Sequence, residues 1–364
     1  GYLSYDLGFA LEPKVRPRPK PDTGIPQCLF SFYNTAIIID HWRKSIFIFS
    51  CGFPEKKYSA ARLLAERNFK RAHKLLTQTA GRQAEVKDKD ERTEIISNFT
   101  KEAYISSVKR AKEYIKAGDI YQVNLSQEFS TRSPLPAEDI YKRLRSLSPS
   151  YFSAYFDAGN FQLISSSPER FLRLADQIVT TRPMKGTRPR PEDIPARKKM
   201  RQALIASAKD KAELMMIVDL ERNDLGRVCS YDSVRVPRLR QLEQYSTVFQ
   251  TTATVCGRLY QDKDRIDLLR ACFPGGSITG CPKIRAMEII DELEPQRRGI
   301  YTGALGYLSF CGGMDFNIMI RTILKREKQL SFGVGGGIVA DSNPQDEYEE
   351  TLVKAKAMMQ AISF

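Results

Sequence analysis

Histidine is nearly missing: the 364 residues hold two, His41 and His73. That argues against a zinc centre and against Ser-His or Cys-His catalysis, so acid–base work falls to carboxylates, lysine, tyrosine or a bound metal. The seven cysteines (28, 51, 229, 256, 272, 281, 311) are odd in number, and no CxxC occurs. A disulfide framework is therefore not expected, and a reducing cytoplasm suits the chain, or a plastid in a plant. No apolar run reaches the roughly 18–20 residues that cross a bilayer. The longest candidate, Ala36–Ser50, is interrupted by Asp40, His41, Arg43 and Lys44, and no membrane association is expected. There is no signal-peptide pattern, no internal repeat, no GxGxxG and no Walker A loop. An initiator Met is also missing, and the opening Gly1–Leu7 reads like the middle of a strand. The expectation is that the natural N-terminus lies upstream.

What is present suits a globular chain: 42% hydrophobic and 27% charged residues, enough to bury a sizeable core. The net charge is +14, and the basic surplus lies within residues 1–210. Nucleic-acid binding, anionic small substrates and a merely solvated basic surface all fit that charge. The chain lacks an RNP-type aromatic motif, a zinc finger and an obvious basic recognition helix, so no nucleic-acid partner is expected.

Residues 13–26, rich in Pro, Lys and Arg, read as an exposed loop, and residues 80–94 as a polar linker. Helical periodicity is found at 60–76, at 104–115 with Gly118 as the stop, and at 195–207, 211–221, 267–272, 282–293 and 346–362. Strands are expected at 36–39, 45–50, 121–126 (half-buried, with a polar face), 153–157, 161–165, 177–181, 233–237, 303–310, 315–324 and 329–334. The strands pair like hairpins and do not alternate regularly with helices. This predicts an α+β fold with antiparallel sheets. A boundary near Ser97 divides residues 1–96, a remnant of an N-terminal region, from a catalytic domain at 97–364.

Four groups of residues carry possible chemistry. Asp210 with Glu213, and Glu347 with Glu350, are carboxylate pairs at i, i+3. Each pair shares a helix face, and four hard oxygen donors suit Mg²⁺ better than zinc; solvated helix faces are the plain alternative. Lys185 sits before Gly186 among Arg182, Arg188 and Arg190. A lysine ordinarily titrates near 10.4, but neighbouring cations, a metal and burial can free it as a nucleophile; a basic surface loop is the alternative. The Gly-rich segments 273–283 and 333–337 read as turns whose N–H groups can face an anion. Tyr307 and Arg321 fall on neighbouring expected strands, where the Arg fork suits a carboxylate.

Taken in order, these segments resemble the chorismate-utilising enzymes. The matching strings are GDIYQVNLS at 118–126, SPERF at 167–171, KGT at 185–187, IVDLERNDL at 217–225, GGSITG at 275–280, GY at 306–307, IRT at 320–322, the 335–342 segment and EYEET at 347–351. The resemblance implies two large antiparallel sheets packed face to face, helices outside and the active site between them. It implies Mg²⁺ held by Glu213 and Glu350, with Asp210 and Glu347 close by. It places the substrate against Thr187, Thr279, Gly280, Tyr307, Arg321 and the Gly335, Gly336 and Gly337 backbone. Lys185, Glu169 and Gln122 match catalytic positions. Isochorismate and salicylate synthases carry a water-activating Lys where this chain has Gln122. Anthranilate synthases usually have Ala at the position of Lys185, whereas the aminodeoxychorismate branch resembles this chain. The implied reaction is amination of chorismate through a covalent Lys185 intermediate, with ammonia from a separate glutamine amidotransferase subunit. A His common in the family is replaced by Gln250, which fits an enzyme that stops at the amino intermediate. Anthranilate synthase component I is the neighbouring alternative.

Overall fold

The computed structural model describes residues 1–78, 94–245 and 248–363. Apart from Glu94, the expected linker lies outside them. Two compact units result: Gly1–Leu29 with Asp90–Phe364, and Phe30–Lys89. The expected boundary near Ser97 thus falls within the larger unit.

The strands in chain order are β1 (Tyr2–Leu3), β2 (Cys28–Leu29), β3 (Thr35–Asp40), β4 (Ser45–Ser50), β5 (Ile96–Ser97), β6 (Gln122–Arg132), β7 (Phe152–Asp157), β8 (Gln162–Ser167) and β9 (Arg170–Ala175). They continue as β10 (Ile178–Arg182), β11 (Met184–Pro189), β12 (Arg235–Gln244), β13 (Val248–Arg258), β14 (Gly280–Cys281), β15 (Ala304–Leu308), β16 (Met314–Ile318), β17 (Thr322–Arg326) and β18 (Gln329–Ile338). The helices are α1 (Leu7–Leu11), α2 (Tyr58–Gln78), α3 (Lys101–Ala117), α4 (Ala137–Leu147), α5 (Ile194–Ala206), α6 (Ala208–Gly226), α7 (Arg265–Cys272), α8 (Lys283–Leu293) and α9 (Pro344–Ile362).

The smaller unit is the β3–β4 hairpin and α2, tied where the Ser50 hydroxyl donates to the Ala65 carbonyl. The larger unit has two antiparallel sheets. One has nine strands in the order β11-β13-β10-β9-β16-β15-β1-β2, with β12 also on β13. The other has seven in the order β14-β6-β18-β17-β8-β7, with β5 on β6. Tyr2 and Leu305 of the first sheet share a buried cluster with Phe156 and Leu163 of the second. The opposite face of the second sheet buries Phe129, Ile164, Ile323 and Phe332 against Ile140 of α4 and Met358 of α9. The α+β layering expected from the sequence is the one observed.

Local chemistry sets the element ends. Thr100 caps α3 by accepting from the Ala103 N–H, and Gly118 ends it at φ 82°. Ser207 caps α6, and Asn343 followed by Pro344 opens α9. Three expectations are corrected. The first half of β6 is not half-buried: Gln122 through Gln127 are all buried, because a sheet covered on both faces leaves no solvent side. Residues 333–337 are not a turn but the body of β18, paired along β6 from Gly333↔Glu128 to Gly337↔Asn124. The strand expected at 315–324 breaks at Arg321, whose φ of 49° sends β16 into one sheet and β17 into the other.

Candidate active site

Lys185 stands on β11 opposite Thr251 of β13, and a bulge separates it from Thr187. A bulge re-aims a side chain, and here the ammonium is mostly buried instead of lying on a basic surface loop. Its Nζ is 3.8 Å from Glu213 Oε2 on α6. β18 passes the same spot: a methyl group on Gly337 would lie 3.2 Å from Lys185 Nζ and 3.1 Å from Gln122 Nε2. Gln122 is fully buried, and neither amide atom has a hydrogen-bond partner. A buried amide without partners is costly, so this one is poised for a ligand beside the lysine.

Glu169 occupies the tight β8–β9 turn. Its Oε1 accepts from Ser277 Oγ at 2.6 Å, and its carboxylate also accepts from the Met184 N–H. Burial pushes its pKa up to about 7, against the pull of Ser277, Lys185 and the Met184 amide. A carboxyl group titrating there can take and return a proton near neutrality.

The carboxylates divide into two groups. Glu347 is buried and accepts from Ser342 Oγ at 2.6 Å; burial and then the Glu350 charge push its pKa up. Burial also acts on Glu350, but Lys354, Lys185 and Lys209 outweigh it and hold that carboxyl below its usual range. Lys354 Nζ is 2.6 Å from Glu350, and Lys209 Nζ is 3.9 Å from Glu213. Asp210 stands apart, 2.9 Å from Arg188 Nη2. Among the described residues no three His, Cys, Asp or Glu side chains stand close enough to share a metal ion. The donors of Glu213, Glu347 and Glu350 nevertheless fit Mg²⁺ in kind, being carboxylate oxygens alone. Gly336 leaves a notch before two of them, where a methyl group would lie 3.1 Å from Glu347 Oε2 and 3.9 Å from Glu350 Oε1.

The expected substrate positions have different local partners. Thr279 is buried, and its hydroxyl donates to the Gly275 carbonyl at 2.9 Å, so it braces its own turn. Gly280 pairs with Val123 next to Gln122. Thr187 is exposed, and Gln250 Nε2 donates to its hydroxyl at 3.3 Å. Arg321 lies where the chain crosses between sheets, with Nη1 donating to Ser148 Oγ at 3.0 Å; burial lowers its pKa. Tyr307 is 61% exposed on β15, opposite Asp315. The neighbouring-strand relation expected for Tyr307 and Arg321 is thus lost at the Arg321 crossing. Sequence reasoning missed Tyr301. It is buried under β18, its hydroxyl 3.0 Å from where a Gly335 methyl group would lie. The signal for it was the alternate glycines Gly333, Gly335 and Gly337, which on a strand clear one face. A separate cavity of about 610 Å³ is lined by Thr23, Glu128, Ser130, Arg298, Arg326 and others, away from Lys185.

The sequence profile of a family described as chorismate binding enzyme matches residues 1–360. The chain belongs to this family. It is therefore a chorismate-utilising enzyme. Aminodeoxychorismate synthase component 1 of Salmonella typhimurium is 40% identical over 99% of this chain and 75% of its own length. Anthranilate synthase component 1 of Aquifex aeolicus is 47% identical over 73% of this chain, and the match spans about half of that relative, 54%. The crystal structure of anthranilate synthase component I from Streptococcus pneumoniae superposes with a TM-score of 0.87 at 33% identity, covering 98% of this chain and 79% of that one. The fold is thus that of the chorismate-binding enzymes, and relatives of two different activities stand at comparable identity. No helix among the described residues is long and apolar enough to cross a membrane.

Proposed function

We propose that this chain is an aminodeoxychorismate synthase component, joining chorismate and ammonia to give 4-amino-4-deoxychorismate and water. The observation that carries the reading is the placement of Lys185, mostly buried, 3.8 Å from Glu213 and beside the unpartnered Gln122 amide. Glu169 takes a proton from the Lys185 ammonium. The free amine attacks C2 of the substrate ring while the C4 hydroxyl departs, and Glu169 returns the proton to it as water. Ammonia then adds at C4 and expels Lys185. The Gln122 amide and the Gly337 backbone orient the ring beside the amine. Glu347 and Glu350, which face the Gly336 notch, would hold Mg²⁺, with Glu213 a third donor only on a closer approach than the structure shows; when bound, the ion would neutralise a substrate carboxylate and polarise the departing hydroxyl. The component names of the relatives support a partner subunit, to which this reading assigns the release of ammonia from glutamine.

Anthranilate synthesis is the second reading, favoured by the Aquifex relative. It requires loss of pyruvate. Gln250 lies near Lys185, with Nε2 on Thr187 Oγ1, and an amide offers no titratable proton for that elimination. The test is incubation with chorismate, Mg²⁺ and an ammonium salt, with product mass and pyruvate release followed together. An aminated product that keeps its enolpyruvyl group, and yields para-aminobenzoate only after a pyruvate-removing lyase is added, is the expected result. Anthranilate formed with equimolar pyruvate would overturn it.

A further inference from the structure

Helix α9 carries Glu347, Glu350 and Lys354 at i, i+3 and i+7, a spacing that stacks the three on one face. That face meets β18 at Gly336, which contributes no side chain. A methyl group on Gly336 would lie 3.1 Å from Glu347 Oε2 and 3.9 Å from both Glu350 Oε1 and Lys354 Nζ. The notch therefore faces an ammonium group as well as two carboxylates. The ammonium is in direct contact: Lys354 Nζ lies 2.6 Å from Glu350 Oε1 and donates to the Gly335 carbonyl at 2.9 Å. β17 pairs with β18 no further along than Ser331, and beyond that point this lysine reaches the Gly335 carbonyl. The other lysines near these acids stand further off. Lys185 Nζ and Lys209 Nζ are 3.8 and 3.9 Å from Glu213. No step of the proposed reaction uses Lys354.

We propose that Lys354 and a divalent cation are alternative occupants of the Gly336 notch, so that Lys354 sets how tightly the ion is held. This rests on the reading in which Glu347 and Glu350 hold Mg²⁺. Mg²⁺ takes its oxygen donors at about 2.0–2.1 Å, inside the 2.6 Å at which the ammonium already holds Glu350 Oε1. Two cations sharing one oxygen at those distances repel. The ion therefore binds by exchange: the ammonium leaves Glu350 and the Gly335 carbonyl, and the carboxylates turn to the metal. One positive charge leaves the notch as the ion brings two. Lys354 is equipped to leave, because its side chain is 42% exposed and a flexible four-carbon stem can carry the ammonium into water. Glu350 is thus never left without a cation. Breaking a charge-assisted hydrogen bond at each binding event keeps the ion loosely held.

The test measures metal binding without substrate in the full chain, for wild type, Lys354→Gln and Lys354→Arg. Mn²⁺ is the probe, since it suits the same oxygen donors as Mg²⁺, and the free ion is read by electron paramagnetic resonance. Lys354→Gln is expected to bind Mn²⁺ about tenfold more tightly than wild type. Lys354→Arg keeps the competing charge and is expected to stay within about threefold of wild type. Adding Glu350→Gln to Lys354→Gln is expected to abolish the gain, which places the ion at the notch. Weaker or unchanged binding in Lys354→Gln would overturn the proposal and leave the Mg²⁺ reading standing. No binding by any of these proteins would overturn the Mg²⁺ reading itself, and the proposal with it. A second measurement needs no variant. Brief acetylation of wild type, read at Lys354 by peptide mass spectrometry, is expected to run about threefold faster or more with saturating Mg²⁺, because exchange releases the amine to solvent. A rate that Mg²⁺ leaves unchanged or lowers means that the ammonium stays in place, and overturns the proposal even if Lys354→Gln does not fold.

Discussion

At the scale of single residues, chemistry is concentrated where charge is hardest to keep. Lys185 is mostly buried yet stands within reach of Glu213, and its charge also pulls on Glu169 and Glu350. If the amine is the nucleophile, truncation removes a covalent step and more than a counter-charge. Lys185→Ala is then expected to lower kcat by about 100-fold or more while KM for chorismate changes far less. Steady-state kinetics with an ammonium salt measures both. A rise in KM with kcat retained would reduce Lys185 to a charge that binds the dianion. This residue was legible in sequence, because a lysine in a KGT string among arginines is conspicuous. Asp210 was legible only by spacing. Its i, i+3 relation to Glu213 is real, but Arg188 claims it at 2.9 Å, and no spacing rule reveals which partner a carboxylate takes. Glu221 went unremarked in its string because a charged residue in a helix usually faces solvent, and only packing shows this one buried.

At the scale of elements, the periodic helices were readable to within a few residues at most ends, since capping residues mark them: Thr100 and Gly118 for α3, Asn343 and Pro344 for α9. Helix α4 and strands β9, β11 and β13 went unexpected, and two further features were not readable. Gly-rich β18 has the composition of a turn, and its strand character comes from pairing with β6 across the whole length, a long-range contact. The break at Arg321 is a single positive φ in an otherwise strand-like run. The glycines beside the site separate stability from function. Gly280 has φ 152°, and a methyl group there would lie 2.2 Å from the Gln122 carbonyl oxygen, which is backbone and cannot yield. Gly280→Ala is expected to destabilise the chain by about 3 kcal/mol or more. At Gly337 the nearest atoms are the flexible ends of Gln122 and Lys185, at 3.1 and 3.2 Å. Gly337→Ala is therefore expected to keep its thermal midpoint nearly unchanged while turnover falls by about tenfold. Thermal unfolding and kcat measured on both variants check the contrast, which fails if both lose stability alike.

At the scale of the whole larger unit, the segments that carry the site come from distant parts of the chain, and one buried ion pair ties several of them together. Arg298 donates to both oxygens of Glu294, at 2.7 and 2.9 Å, to the Ile278 carbonyl at 2.9 Å and to the Asn124 carbonyl at 2.8 Å. Glu294 in turn accepts from the Ser126 amide and hydroxyl, both at 2.8 Å. The pair therefore clamps β6, which begins with Gln122, to the turn that holds Thr279 and Gly280. Both members are buried, so removing one leaves the other as an uncompensated charge, at a cost of about 3–5 kcal/mol. Arg298→Met is expected to lose about that much stability, and turnover with it, although Arg298 belongs to no step of the proposed reaction. Pairing it with Glu294→Met removes the stranded carboxylate, so the double variant is expected to be more stable than the sum of the single losses. The Ser126 amide and the Ile278 and Asn124 carbonyls still lack partners in that variant, so its turnover is expected to stay low. Denaturant unfolding of the four proteins in the cycle, with kcat measured on each, decides the matter. Turnover restored along with stability would mean that the pair supports the fold without positioning the site.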